Sequence, residues 1–188
     1  MAQAPLLDIE PADPDDAGGE AHALMAGAKQ KLGFLPNMYT YMAKLPPVLD
    51  GYLRTYDDFR SQSGFSSAEQ ETVFLTISRV NGCHYCTAAH SMIAEKKSGV
   101  PADSLAALRD GRPLPDPDLQ AVAAFTEAMV VSRGNPGKAA VDAFLAAGYG
   151  ERQVLGVVLA IACKTFSNYV NHLAATPVDD VFAPFEAA

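Results

Sequence analysis

Apolar residues recur at intervals of three and four along most of the chain, which is the spacing of one face of an α-helix. The clearest stretch contains the apolar and aromatic positions Val48, Leu49, Tyr52, Leu53, Tyr56 and Phe59. No stretch shows sustained apolar–polar alternation between hairpin turns, so strands are not expected. The pattern predicts an all-α domain of about eight helices.

Proline and capping residues mark where several helices begin. Pro46-Pro47 breaks one helix and starts the next. Ser66, followed three residues later by Glu69, is a capping-box signature. Asp116-Pro117 is expected to cap a longer helix in the second half of the chain.

Length and composition indicate a single globular domain. The chain has 188 residues, of which 49% are hydrophobic and 19% are charged, enough for a sizeable core. Residues 1–18 are rich in Pro, Asp and Ala, and we expect them to form a loosely ordered arm. Residues 19–188 are predicted to form the helical domain, ending with a long helix over about residues 151–174.

Charge and cysteine content narrow the classes of partner and compartment. The net charge of −8 argues against binding nucleic acid or anionic lipid. Neither a signal peptide nor a membrane span is expected, because the longest apolar run, Val154 to Cys163, is too short to cross a bilayer. Three cysteines do not suit a disulfide framework, so we expect redox or metal chemistry in the cytoplasm.

The chemistry is concentrated between Glu71 and His90, where two helices are predicted on either side of an Asn81-Gly82 break. The second helix opens with Cys83-x-x-Cys86 and carries His90 four residues later. On a helix, these two thiols and the imidazole fall within a stripe of roughly 60°. Such a face predicts a thiol peroxidase or a disulfide oxidoreductase.

A helix start alone cannot make Cys86 reactive. A thiol reacts as its thiolate, and each unit of pKa depression needs about 1.4 kcal/mol of preferential stabilisation, against roughly 0.3–1 kcal/mol from a helix end. His90 must therefore contribute if Cys86 is the nucleophile. If the two helices pack antiparallel, Glu71 approaches His90 and can orient it as in a nucleophile–base–orienter triad, although Glu69 could compete.

Two other interpretations of the cysteines stay open at this level. They could be ordinary buried thiols, or ligands of a zinc ion with His90 as the third, although no fourth ligand has suitable spacing. No cofactor is predicted. The third cysteine, Cys163, stands alone in an apolar helix and is predicted to behave as a small hydrophobe.

Other polar residues near these positions have weaker signals. His84 is predicted to be solvated, and Tyr85 either packs in the core or lines a substrate entrance. Asn168, Asn171 and His172 form a polar cluster on the last helix. That cluster is either a satisfied core network or a second wall of the site, with Tyr85, Asn168 and His172 as the candidate wall residues.

The spacing Glu71-x11-Cys83-x-x-Cys86-x-x-x-His90 resembles the alkyl hydroperoxidase D-like, carboxymuconolactone decarboxylase superfamily. Two further segments, Gly33-Phe-Leu-Pro-Asn37 and Thr165-Phe-Ser-Asn-Tyr-Val-Asn-His172, are similar to its branch of uncharacterised peroxidase-related proteins. The resemblance covers nearly the whole chain after the N-terminal arm. It implies an AhpD-like all-helical fold with the CxxC helix in a helical hairpin, assembled as a homotrimer or homohexamer.

The resemblance also implies an antioxidant activity, the reduction of a hydroperoxide. Cys86 would be the peroxidatic thiol, Cys83 the resolving thiol, and His90 with Glu71 the proton relay, with an external dithiol or protein reductant. The sequence departs from that family at Tyr85, which takes a position where a second histidine is often found. General protein disulfide exchange, a redox- or metal-sensing oligomer and lactone decarboxylation are the alternatives.

Overall fold

The computed structural model of the protein describes residues 4–186, and this part of the chain forms α-helices and no strand. The all-α prediction is therefore confirmed. The nine α-helices of the described part are α1 (Gly19–Leu32), α2 (Asn37–Met42), α3 (Pro46–Gln62), α4 (Ser67–Val80), α5 (His84–Ile93), α6 (Ala102–Asp110), α7 (Pro117–Val131), α8 (Lys138–Ala146) and α9 (Glu151–Ala174). A π-turn, Ala94–Ser98, extends α5, and a 3₁₀ turn, Ala183–Phe185, lies near the end.

The predicted helix starts are confirmed by their capping hydrogen bonds. The backbone N–H of Ser66 donates to Glu69 Oε2 at 2.7 Å, and the N–H of Glu69 donates to Ser66 Oγ at 3.3 Å. Asp116 Oδ1 accepts from the backbone N–H groups of Asp118 and Leu119. These contacts satisfy N–H groups that have no partner inside the helix.

Helix α4 lies at the centre of the fold. All nine of its residues from Gln70 to Ser78 are buried, because α5, α7 and α9 pack around it. Helix α3 packs along α9. Phe59 of α3 also contacts Phe74 of α4, with ring centroids 4.6 Å apart. A polar residue on α4 that points towards α5 is therefore held away from water.

A tight turn joins α4 to α5 and makes them a helical hairpin. Gly82 has φ +69, a left-handed conformation that favours glycine, and the backbone N–H of Cys83 donates to the carbonyl of Ser78 at 2.8 Å. This turn reverses the chain so that the start of α4 lies beside the end of α5. The antiparallel packing assumed from the sequence is present.

The N-terminal segment is tied to the domain by backbone hydrogen bonds. The N–H groups of Leu6 and Leu7 donate to the carbonyl of Leu173, and that of Ala12 donates to the carbonyl of Thr40. The first three residues of the predicted arm and the last two of the predicted domain lie outside the described part. The division of the chain at residue 18 remains a prediction.

Helix α9 is long and apolar enough, by length and composition alone, to cross a bilayer, which the short apolar run in the sequence did not suggest. In this fold it packs along α3 and buries polar groups of Lys164, Asn168 and Asn171. It is therefore a core helix of the domain.

Candidate thiol active site

Both cysteines of the CxxC pair lie at the start of α5 and are free thiols. Cys83 is the N-cap residue and Cys86 lies in the first turn, where backbone N–H groups without helical partners favour a negative charge. Cys83 is 1% exposed and Cys86 is 2% exposed. In this conformation the two sulfurs are shielded from bulk water.

Asn171 on α9 holds the two thiols from the opposite side. Its Nδ2 lies 3.4 Å from Cys86 Sγ and 3.7 Å from Cys83 Sγ, and 3.2 Å from the sulfur of Met38. An amide N–H that donates to a sulfur favours its anionic form. The amide therefore contributes to a polar environment for a thiolate inside an otherwise apolar core.

Glu71 and His90 are brought together by the hairpin. The Oε2 of Glu71 lies 2.8 Å from Nδ1 of His90, and both side chains are buried. Burial opposes the charge on Glu71, but His90 and Arg60 lower the pKa of this carboxyl below its usual 4.5. Glu71 is thus an anion that can accept hydrogen bonds but not donate them.

His90 is a neutral imidazole in this setting. Burial, followed by the nearby Lys164 cation, lowers the pKa of His90 below its usual 6.5, although Glu71 acts in the opposite direction. Because the Glu71 carboxylate only accepts, Nδ1 of His90 carries the proton and Nε2 carries the lone pair. His90 can therefore take up a proton one helical turn after Cys86.

Arg60 on α3 is the second partner of Glu71 and was not identified from the sequence. Its guanidinium forms an ion pair with Glu71 Oε1 and donates a hydrogen bond of 2.9 Å to the hydroxyl of Tyr56. It also lies 4.9 Å from the centroid of the Phe74 ring. Arg60 therefore neutralises the carboxylate and holds it towards His90.

Lys164 on α9 is the least expected member of the site. It is 1% exposed, and its Nζ lies 5.5 Å from the centroid of the Phe74 ring. Within residues 4–186, this Nζ has no hydrogen bond of normal geometry and no carboxylate at ion-pair distance. A buried ammonium without an anionic partner is strongly unfavourable. Whether Lys164 keeps its proton therefore depends on the ionisation of the acidic groups near it.

Those acidic groups are the thiols. Burial lowers the pKa of Lys164, but the thiol groups of Cys86, Cys83 and Cys163 raise it above its usual value, with Cys86 foremost. Burial likewise opposes ionisation of Cys86, but a hydrogen bond from Cys83 and then the Lys164 cation bring the pKa of Cys86 well below 9.0. Lys164 and Cys86 thus favour each other's charged form.

The two thiols have pKa values shifted in opposite directions. The hydrogen bond to Cys86, followed by burial, raises the pKa of Cys83 above its usual 9.0. Of the two thiols, Cys86 is therefore the one that loses its proton more readily. Cys163 is fully buried, and burial raises its pKa to about 11.

A C-terminal strap, residues 176–186, covers the start of α5. The Tyr85 hydroxyl donates to Oδ2 of the buried Asp179, while Oδ1 of that carboxylate accepts from the backbone N–H of Asn37 at 3.0 Å. The ring of Phe182 packs edge-on against Tyr85 at 6.0 Å and against Phe34 at 5.9 Å. Tyr85 is thus an anchor of the strap, beside the thiols.

The two candidate wall residues on α9, Asn168 and His172, differ in burial and in their contacts. Asn168 is fully buried, and its Oδ1 accepts from Asn81 Nδ2 at 2.8 Å, so it fixes the turn before Cys83. His172 is half-buried at the end of α9. Of the polar cluster predicted there, Asn171 is the member that contacts the sulfurs. His84 is exposed, as predicted.

The sequence offered one signal that could have identified Lys164. It is the single Lys, Arg, Asp or Glu between Gln153 and Val178, within a helix of otherwise uncharged residues. Lysine is almost never fully buried unless it is paired. Arg60 carries no comparable signal, because it lies in a helix rich in charged residues.

The zinc hypothesis gains no support from the arrangement of the side chains. Among residues 4–186, no three His, Cys, Asp or Glu side chains are grouped so as to hold a metal ion. The Nδ1 of His90 is already engaged by Glu71.

The fold is the AhpD-like helical fold, as comparison with solved structures shows. The alkylhydroperoxidase AhpD core of an uncharacterised peroxidase-related protein from Ralstonia eutropha JMP134 superposes with a TM-score of 0.81 at 18% identity, covering 96% of each chain. An uncharacterised peroxidase-related protein from Silicibacter sp. TM1040 gives a TM-score of 0.69 at 21% identity, covering 93% of this chain and 91% of that one.

The sequence match is to one family. Residues 46–130 match the model of the carboxymuconolactone decarboxylase family, and this segment contains the whole Glu71–CxxC–His90 pattern. The resemblance inferred from that pattern is therefore confirmed. A further similar structure is the debrominase Bmp8, solved as a cysteine-to-alanine variant in complex with 2,3,4-tribromopyrrole, with a TM-score of 0.77, 20% identity and 95% coverage of both chains. No curated protein sequence matches the chain.

Proposed function

We propose that the protein is a thiol-dependent hydroperoxide reductase that uses a dithiol–disulfide cycle at Cys86 and Cys83. The observation that carries this proposal is geometric: Cys83 and Cys86 lie together at the start of α5, and His90, held by Glu71 at 2.8 Å, follows one turn later. The lowered pKa of Cys86 and the raised pKa of Cys83 agree with it. The Cys86 sulfur can attack an electrophile as a thiolate, whereas Cys83 keeps its proton until the disulfide forms.

The proposed cycle begins with attack of the Cys86 thiolate on the distal oxygen of a hydroperoxide. The S–O bond forms and the O–O bond breaks, so that sulfur is oxidised to a sulfenic acid and the peroxide is reduced to an alkoxide, which takes up a proton. His90 Nε2 can then accept the Cys83 proton, and the Cys83 sulfur displaces hydroxide, released as water, to form the disulfide.

An external dithiol or protein reductant must return the disulfide to the reduced state by exchange. Such a cycle requires a reducing compartment, which is why we propose a cytoplasmic location and an antioxidant role. The strap over Tyr85 must open for a bulky reductant, because neither sulfur is accessible in the closed conformation.

Burial of the thiols favours a small oxidant over a protein disulfide as the first substrate. Cys86 is 2% exposed, and it belongs to the same buried cluster as Met38, Phe74 and Tyr85. A hydroperoxide needs only a narrow path to the sulfur, whereas a protein disulfide must present its own sulfur in line with the thiolate. General disulfide exchange remains the competing activity, to be tested by comparing the two rates.

Reductive dehalogenation is a second candidate, favoured by the likeness to the debrominase fold. The same thiolate could attack the bromine of a bromoarene, forming an S–Br bond while the carbon takes up a proton. Cys83 would then displace bromide and form the same disulfide. The rings of Tyr39, Tyr52, Tyr56 and Phe74 form a continuous aromatic series in the core, with centroids 5.5 to 5.9 Å apart.

The exposed face of α9 supports a homo-oligomer, which we propose without choosing between trimer and hexamer. Its outer positions follow steps of three and four residues: Leu155, Val158, Ala162, Thr165, Tyr169 and Leu173. Four of these are large apolar or aromatic side chains that are 44–67% exposed. A stripe with heptad-like spacing and no charge suits packing against the same stripe of a second copy.

A single-turnover experiment tests the function without knowledge of the reductant. The reduced protein is mixed with one equivalent of cumene hydroperoxide, 2,3,4-tribromopyrrole or a model protein disulfide, and disulfide formation is followed by mass spectrometry. We expect the hydroperoxide to be consumed fastest, with a Cys83–Cys86 disulfide as product. Cys86→Ser should abolish the reaction, and Cys163→Ser is the matched control. Full activity in the Cys86→Ser protein would overturn the proposal.

A further inference from the structure

Lys164 is a buried charged group with no role in the relay described so far. It enters the site from α9, whereas the thiols and His90 lie on α5, Glu71 on α4 and Arg60 on α3. It precedes Asn171 by two helical turns on the same helix, and Asn171 contacts both sulfurs. Lys164 therefore belongs to the wall of the site that faces the thiols.

The charges of the buried site balance only if Lys164 is counted with Cys86. Arg60 and Glu71 form an ion pair and cancel. His90 is neutral, because burial and the Lys164 cation lower its pKa. One cation, Lys164, then remains, and within residues 4–186 no carboxylate lies at ion-pair distance from it. The acidic groups on this side of the core are the thiols that Asn171 of the same helix contacts, and Cys86 is the more acidic of the two.

We propose that Lys164 is the counter-ion of the Cys86 thiolate, and that it donates the proton which the departing alkoxide takes up after peroxide cleavage. The second part rests on the proposed hydroperoxide reduction; the first part does not. Lys164 thereby supplies the stabilisation of the Cys86 thiolate that the sequence analysis expected from His90.

The proton donation follows from the change in charge during the reaction. When the Cys86 thiolate becomes a neutral sulfenic acid, the Lys164 ammonium loses its counter-ion inside a dry core. Transfer of its proton to the alkoxide removes both isolated charges in one step and leaves a neutral amine and an alcohol. His90 is less suited to this step, because its Nδ1–H is held by Glu71 and its Nε2 carries no proton.

Several other titratable groups face this part of the core and must be considered in any pH profile. They are Tyr39, Tyr52, Tyr56 and Arg60 from α3 and its neighbour α2, Glu71 from α4, Cys83, Tyr85 and His90 from α5, Cys163 from α9, and Asp179 from the strap. His90 lies on the same helix as the two thiols, so its contribution is measured separately with a His90→Gln variant.

The pH dependence of Cys86 alkylation by iodoacetamide tests the counter-ion without any peroxide. In the Lys164→Met protein we expect the alkylation midpoint to rise by about one to three pH units. Lys97→Met, which removes an exposed lysine, should leave it unchanged. An unshifted midpoint in a folded Lys164→Met protein overturns the proposal. If the pKa of Cys86 depends on Lys164 but no hydroperoxide is consumed, the proposed function is wrong, while the assignment of Lys164 as the counter-ion is still supported.

The proton donation is tested by the rate of sulfenic acid formation divided by the thiolate fraction at each pH. In Lys164→Met this normalised rate should stay about tenfold or more below that of the wild type even where Cys86 is fully ionised. Complete recovery of the rate there overturns the donor step.

A second measurement keeps the counter-ion testable if Lys164→Met alone folds poorly. In a Cys86→Ala background, Lys164→Met removes a cation that has lost its partner, so we expect it to raise the midpoint of thermal unfolding. In the wild-type background the same substitution should lower that midpoint. An equal change in both backgrounds shows that Lys164 acts by packing alone and overturns the proposal.

Discussion

Oε2 of Glu71 lies 2.8 Å from Nδ1 of His90, although 19 residues separate them in the sequence. The contact exists because the Gly82 turn folds α5 back along α4, and because the central position of α4 keeps Glu71 away from water. The carboxylate therefore determines which imidazole nitrogen carries the proton. In the proposed cycle, this contact leaves Nε2 of His90 free to accept a proton.

Glu71→Gln is expected to slow hydroperoxide reduction by about 100-fold, because a neutral amide no longer holds His90 as a base directed at the thiols. The single-turnover rate measures this loss. Glu69→Gln is the matched control, since Glu69 caps α4 and accepts from Tyr149 outside the site. Equal rates for the two variants would show that Glu71 plays no part in the relay.

The same variant should also lose stability in a pH-dependent manner. Removing the charge leaves Arg60 without its anion and costs up to about 3 kcal/mol, reduced because the Arg60 side chain is 21% exposed. Folding lowers the pKa of Glu71. The charged Glu71 therefore contributes its full share of the folding stability above pH 4.5, the pKa in the unfolded chain, and this share is lost as the pH falls through the lower pKa of the folded protein. Urea unfolding should show the gap between wild type and Glu71→Gln closing below about pH 4.

The hairpin and the grouping of its thiol, imidazole and carboxylate side chains were predictable because their signals are local. The capping residues, the Asn81-Gly82 break and the spacing of Cys83, Cys86 and His90 all lie within one short stretch. A helical period then places the side chains on a common face without knowledge of the tertiary fold.

The cations of the site were not predictable in the same way. Arg60 enters the site from α3, where it pairs with Glu71, and Lys164 enters from α9. The order in which helices pack is not contained in their periodicity. The energy argument from the sequence correctly found that a helix end is too weak to ionise Cys86, but it assigned the missing stabilisation to His90. The structure places the buried Lys164 in the same site, and we propose that this cation supplies the missing stabilisation while His90 stays neutral.

Cys83→Ser should trap the peroxidatic sulfur in its first oxidised state. Without the resolving thiol, the Cys86 sulfenic acid cannot close to a disulfide and should be captured by dimedone. We expect one dimedone adduct per chain on Cys86 after one equivalent of hydroperoxide, and none in the wild type. A disulfide from Cys86 to Cys163 in this variant would instead identify Cys163 as the resolving thiol.

Tyr85→Phe should loosen the C-terminal strap. The substitution removes the hydroxyl that donates to Asp179, leaves that buried carboxylate with one hydrogen bond fewer, and should cost about 1–3 kcal/mol. Hydrogen exchange over residues 176–186 should become faster, and so should alkylation of Cys86 by a bulky maleimide. Tyr41→Phe, on α2 and outside both the strap and the exposed stripe of α9, is the control. Unchanged exchange in Tyr85→Phe would show that the strap is held by Phe182 instead.

Val158→Asp tests whether the exposed face of α9 joins copies of the chain. Val158 is 47% exposed at the middle of the uncharged stripe, so a carboxylate there would be buried without a partner in an interface formed by two such stripes. Light scattering during size-exclusion chromatography should show wild-type oligomers and a Val158→Asp monomer. Val131→Asp, at the end of α7 and 67% exposed, controls for the general effect of adding charge to an exposed valine. Oligomers of the same mass in all three proteins would exclude this face as the interface.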